Sequence, residues 1–177
     1  KILGVAYTIV LNVFKRRIST RKTKTSKTFK YLSLNSSDKA KCNDLVQKVL
    51  RFTVYLDPWI DKNKKGRLRI ELLCLIRLAL IDTLIRNVKQ ETVLKKYSDL
   101  AASYERTRYS KDQLRYFIHL AYSQLEKKVL NPTFLFEKKL RKILIYQYCL
   151  EDVKKVEKIF SESPPIDLYF KKGASKN

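Results

Sequence analysis

The chain has 177 residues, 45% of them apolar, and carries 39 Lys and Arg against 17 Asp and Glu, for a formal charge of +22. That is enough apolar material for a core, and so much uncompensated positive charge points to a polyanion, nucleic acid ahead of an anionic membrane surface. Three glycines, one histidine and three widely separated cysteines exclude a Walker loop, a G-x-G-x-x-G turn, a zinc site or a catalytic triad.

In chain order, Ile2 to Arg17 reads as a first helix. Its apolar run "ILGVAYTIVLNVF" is interrupted by Thr8 and Asn12 and falls short of the ~20 residues that span a bilayer, so a core helix is expected and no membrane span. Residues 1–37 hold nine basic side chains and no acid, and "RRISTRKTKTSKTFK" reads as a loop or extended basic arm. With Ser36 or Ser37 as N-cap, helix resumes, carrying a stripe of Cys42, Leu45, Val46, Val49, Leu50 and Val54. Asp57 as a cap with Pro58 at the first helical position predicts a separate short helix, ended by "NKKG".

"RLRIELLCLIRLALIDTLI" is apolar nearly all round and predicts the helix that the others wrap. "QETVLKKYSDLAASY", then "SKDQLRYFIHLAYSQLEKKVL" with Ser110 as cap, then a single long helix after Asn131-Pro132 complete seven helices and an all-α fold. Ser163-Pro164-Pro165 can extend no helix, and Ile166 to Phe170 alternates like a half-buried strand before a polar tail, as at a domain junction. With no methionine, the sequence is expected to be a processed or partial chain. Cys42, Cys74 and Cys149 stand in helical contexts and are expected to be buried thiols, and His119 a packed or surface histidine. Tyr97, Tyr104, Tyr116 and Tyr122 fall where helical periodicity wants apolar bulk; an exposed tyrosine beside basic residues would instead offer a face for an unpaired base.

"SDKAKCNDLVQKVLRFTVYLDPWI" resembles the N-terminal NusB-like RNA-binding domain of the Sun/Fmu (RsmB) family of ribosomal RNA cytosine-5 methyltransferases. Asp38, Lys39 and Ala40 stand in its D-R-A motif, Leu45, Val46, Val49, Leu50 and Arg51 in L-V-x-x-V-L-R, and Leu56, Asp57 and Ile60 in L-D-x-x-L. "LIRLALIDTLI" is similar to the family's L-R-L-G-x-Y-Q-L-L helix through Arg77, Leu78, Ala79, Leu80 and Leu84, and "NVKQETVLKKYSDLAA" to its V-P-x-H segment through Val88, Val93, Leu100 and Ala101. "YFIHLAYSQL" falls on G-F-V-N-A-V-L-R-R-L, and "NPTFLFEKKLRK" and "SESPPIDLYFKK" on the P-x-W-L helix and the Pro-Pro entry to the next domain. The likeness runs collinearly from about residue 38 to 171. Polar positions depart from it: Lys89 and Gln90 or Glu91 replace the Pro and His, Leu94 an Asn, Tyr116 and His119 the Gly and Asn, and Ser123 and Gln124 the paired arginines.

The resemblance implies a NusB-like bundle over 38–162, preceded by a helix and basic arm over 1–37 and followed by a linker over 163–177. In that family, catalysis belongs to a separate S-adenosylmethionine domain with cysteines in P-C and T-C contexts; "AKCND", "ELLCL" and "YQYCL" match neither, so these residues are expected to be non-catalytic and to need no cofactor. The expected activity is binding of ribosomal RNA, as a structural or assembly subunit beside other ribosomal proteins, in a mitochondrial ribosome or alternatively in the cytoplasm. The alternatives are the RNA-binding front of a complete methyltransferase, or a helical module that binds protein. Phosphate contacts are expected at Arg16, Arg17, Arg21, Lys22, Lys24 and Lys27 of the arm, at Arg51, and along the strip Lys138, Lys139, Arg141 and Lys142.

Overall fold

A computed structural model of the chain describes residues 2–25, 31–104, 108–126 and 138–161. Eight α-helices and no strand occur among them: α1 (Ile2–Arg16), α2 (Thr20–Thr25), α3 (Ser36–Asn63), α4 (Ile70–Leu84), α5 (Gln90–Tyr104), α6 (Arg108–Glu126), α7 (Lys138–Gln147) and α8 (Leu150–Ser161). The fold is all-α. Lys27, Asn131-Pro132, the Pro-Pro step and the expected strand at 166–170 lie outside the described residues.

The apolar run from Leu72 to Leu84 makes α4 the hub, as its all-round hydrophobicity predicts. Twelve of its residues are buried, and it packs against α1, α3, α5 and α6. Onto it α1 turns Val5, Ala6, Tyr7, Ile9 and Val10, α3 turns Leu45, Val49, Phe52, Leu56 and Ile60, α5 gives Val93, Tyr97 and Ala101, and α6 gives Leu114, Phe117, Ile118 and Ala121. The helix of the first 37 residues therefore shares one core with the helices that follow.

Local signals explain several helix ends. Asn35, rather than Ser36 or Ser37, caps α3: its side chain accepts from the Asp38 N–H at 2.7 Å. Arg17 closes α1 and Asn87 follows α4 in left-handed backbone (φ 53° and 49°), and the next N–H groups reach back to the carbonyls of Asn12 (3.2 Å) and Asp82 (3.0 Å). α6 begins at Arg108, upstream of the expected cap Ser110.

Four expectations are corrected. Asp57-Pro58 starts no new helix; α3 runs through Pro58, which leaves the Val54 carbonyl without its usual helical donor. Burial on both sides of the proline, at Leu56 and Ile60, outweighs that loss, and Trp59 adds an Nε1–H donated to Gln124 Oε1 at 2.8 Å and a ring tilted on Phe117 at 5.9 Å. The apolar stripe accordingly continues through Phe52 and Leu56, while Val54 is exposed. Within the arm, Thr20–Thr25 is a helix packed on α1, because Ser19 caps it through the Lys22 N–H (3.2 Å) and Thr23 is buried. The long last helix is broken at Tyr148-Cys149 into α7 and α8, which pack on each other.

Two charges sit inside this core, and both are matched. Arg77 donates from Nε and Nη2 to the two carboxylate oxygens of Asp57, at 2.8 and 2.7 Å, and its guanidinium lies 4.0 Å from the Phe14 ring centre. Asp82 accepts from Arg86 at 2.8 Å and from the Tyr97 hydroxyl at 3.1 Å. Because Arg77 is buried, removing its partner strands a cation: Asp57→Ala is expected to cost about 3 kcal/mol in urea unfolding. The paired replacement Asp57→Leu with Arg77→Met is expected to recover most of that loss, since it removes the buried charge as well. Equal destabilisation by the single and double variants would show that geometry rather than charge matching matters there.

Candidate nucleic-acid interface

The expected phosphate contacts fall on separate helix pairs. Arg16, Arg17, Arg21 and Lys22 are exposed around the α1–α2 corner, where basic side chains also face the negative end of α1. Lys24 is half-buried, its ammonium 5.7 Å from the ring centre of Tyr31, whose hydroxyl donates to Asn43 at 3.1 Å. Arg51 is half-buried on α3. On α7, Lys139 and Lys142 are exposed, whereas Arg141 turns to α8 and donates to the buried carboxylate of Glu157 at 3.4 Å. The Lys138 side chain lies outside the described residues. The strip thus divides, with two lysines facing outward and one arginine engaged in the hairpin.

A basic site that was not anticipated lies between α5 and α6. Leu94, Lys95, Ser98, Arg115 and His119 line a groove of about 400 Å³. Lys95 and Ser98 are three residues apart on α5, and Arg115 and His119 four apart on α6, so each pair shares a helix face, and the packing of the two helices brings the faces together. No carboxylate lines the groove, and among the described residues neither Lys95 nor Arg115 forms an ion pair; Glu91, a turn before Lys95, makes none with it. Gln90 Nε2 lies 2.7 Å from His119 Nδ1, so with the amide donating, the ring carries its proton on Nε2. The groove is therefore a cluster of donors with nothing of opposite charge to consume them.

A larger cleft, about 690 Å³, opens among α1, α3, α4 and α5. Its Lys41, Arg86 and Lys96 are balanced by Asp38, Asp82 and Asp99, and Asp82 is already taken by Arg86 and Tyr97, so it lacks the groove's one-signed character.

Two of the three thiols are unsuited to nucleophilic work. Cys42 and Cys74 are buried, and desolvation pushes each thiol from 9.0 up to about 11, which leaves the reactive thiolate scarce at neutral pH. Cys149 departs from expectation: it is exposed at the α7–α8 corner, its thiol donating to Asp152 at 3.3 Å. No group of three or more His, Cys, Asp or Glu side chains that could hold a metal occurs among the described residues, and no helix among them is long and apolar enough to cross a membrane. Tyr97 is buried as expected, and Tyr116 and Tyr122 are partly so, Tyr122 donating its hydroxyl to the Val88 carbonyl; the Tyr104 side chain lies outside the described residues.

No protein-family model and no curated protein matches this chain.

Burial also sets the alkaline limit of the fold. Cys42 and Cys74 are raised to about 11, Tyr55 to about 12, and Tyr97 is held well above its ordinary value by desolvation and then by the Asp82 charge. Each folded value exceeds the unfolded one, so these contributions are fully present below about pH 9 and are lost as pH rises through 11 and 12. Unfolding free energy is therefore expected to fall between pH 9 and pH 11, less steeply in a Cys42→Ala/Cys74→Ala variant. Urea titrations at stepped pH check this, and equal slopes in the two proteins would remove the thiols from the account.

Proposed function

We propose that the chain is a non-catalytic ribosomal RNA-binding protein, a structural or assembly subunit of an organellar, mitochondrial ribosome, built on a NusB-like bundle descended from a ribosomal RNA methyltransferase. The observation that carries RNA binding is the acid-free groove of Lys95, Ser98, Arg115 and His119 on a chain of charge +22. Phosphate oxygens are the acceptors that such a set of donors with no carboxylate among them suits, and counterion release makes their neutralisation favourable. Ribosomal RNA and neighbouring ribosomal proteins are the partners in this reading.

Two further observations support the ancestry. Asp57 and Arg77, which stand in two separate motifs of the resemblance, are each other's bidentate partners. Gln90 and His119, at or beside the positions where polar residues depart from that pattern, meet across α5 and α6. Paired replacement at a contact is what a shared helix packing with an altered surface would produce.

Binding to a fluorescent RNA stem–loop, followed by anisotropy over a range of salt, tests the reading. The affinity is expected to fall steeply with salt, and Lys95→Gln/Arg115→Gln to reduce the slope of log K against log salt by roughly 1.5, each lost phosphate contact being worth about 0.7 to 0.9. A salt dependence near zero for the unaltered protein would replace RNA with a protein partner.

A further inference from the structure

The α7 helix divides its side chains by neighbour. Arg141 and Leu144 turn toward α8, the first to Glu157 and the second into an apolar cleft with Tyr148, Val153 and Val156. At 100° per residue, Lys139, Lys142, Ile143 and Tyr146 fall on the opposite face, within about a third of the helix circumference. All four are exposed, and Tyr146 is 93% so, an extreme value for an aromatic ring that can bury its flat faces elsewhere. No residue of α7 is acidic, and none of the described residues makes a ring contact or hydrogen bond with Tyr146. Lys142 and Tyr146 are one turn apart, about 6 Å along the axis.

From this juxtaposition we infer that the outer face of α7 is a stacking site for an unpaired RNA base, with Tyr146 beneath the base and Lys139 and Lys142 on the flanking phosphates. The inference rests on the RNA-binding reading and narrows it, because a duplex keeps its base faces stacked inward and has none to offer an aromatic ring. The lysines supply the charge complementarity that selects a polyanion over a purely apolar partner, although Ile143 lies among them. Tyr146, unlike the tyrosines of the core, is almost wholly exposed and has no ring or hydrogen-bond partner among the described residues, so its face is open to a ligand.

Anisotropy with a short, unstructured oligouridine and, in parallel, an RNA duplex of similar charge tests the assignment on the whole chain. Tyr146→Ala is expected to weaken oligouridine binding roughly tenfold while leaving the duplex within about twofold, and Tyr146→Phe to keep both, since stacking needs the ring and not the hydroxyl. Lys139→Gln/Lys142→Gln is expected to lower the salt slope for oligouridine by roughly 1 to 1.5. Unchanged oligouridine affinity in Tyr146→Ala, or an equal loss on both probes, overturns the inference; the first result would leave the face to a protein partner. If the unaltered protein binds neither probe, the RNA-binding reading fails with it, whereas salt-sensitive duplex binding that survives every α7 substitution sinks the stacking site alone.

Discussion

The bidentate contact between Arg77 and Asp57 is the constraint around which the bundle is arranged. An arginine on the most buried helix must have its charge answered, and the answer comes from α3 at a position beside a proline, with Phe14 of α1 covering the guanidinium. Three helices are thereby fixed in register by one side chain. With α4 held between α1 and α3, its other flank is free for α5 and α6, and the second buried charge, Asp82, is met there by Tyr97 of α5. The groove between α5 and α6 exists because these two helices pack on the hub and on each other.

Much of this was legible in the sequence, because the physics is periodic. The all-round hydrophobicity of "LLCLIRLALIDTLI" places α4 in the centre, and the three- and four-residue spacing of Cys42, Leu45, Val46 and Val49 marks the buried face in the first half of α3. What the sequence misrepresents is where a local rule meets a distant contact. Pro58 after Asp57 has every local mark of a helix start, yet Asp57 is committed to a residue twenty positions away and the burial of Leu56 and Ile60 carries the helix through. The α2 helix is invisible to periodicity because its six residues are threonines and basic side chains; a serine cap and the packing of Thr23 hold it. No glycine or proline announces the corner at Tyr148-Cys149, so the exposure of that cysteine could not be read.

The candidate site follows the same division. A run of basic residues is easy to see, but whether its charges are available depends on partners that only folding supplies: Arg141 is drawn to Glu157, Lys24 to the ring of Tyr31, and Lys15 to Glu71. Lys95 and Arg115 are far apart in sequence among residues of both signs, and become a site because helix packing aligns them while Glu91 forms no ion pair with Lys95. The one signal that could have found them is the pairing of Lys95 with Ser98 and of Arg115 with His119 at helical spacing. Positive charge on this chain is thus of two kinds: charge paired within the fold, as at Arg77 and Arg141, and charge without an ion pair among the described residues, as at Lys95 and Arg115.

Sedimentation of a native lysate through a gradient, with the chain detected after denaturing electrophoresis, tests whether the chain is held by ribosomal RNA. The chain is expected to run with ribosomal particles and to move to the light fractions when RNA is digested or salt is raised. A chain that stays light under every condition, or that remains bound to a heavy partner after RNA digestion and high salt, would contradict it.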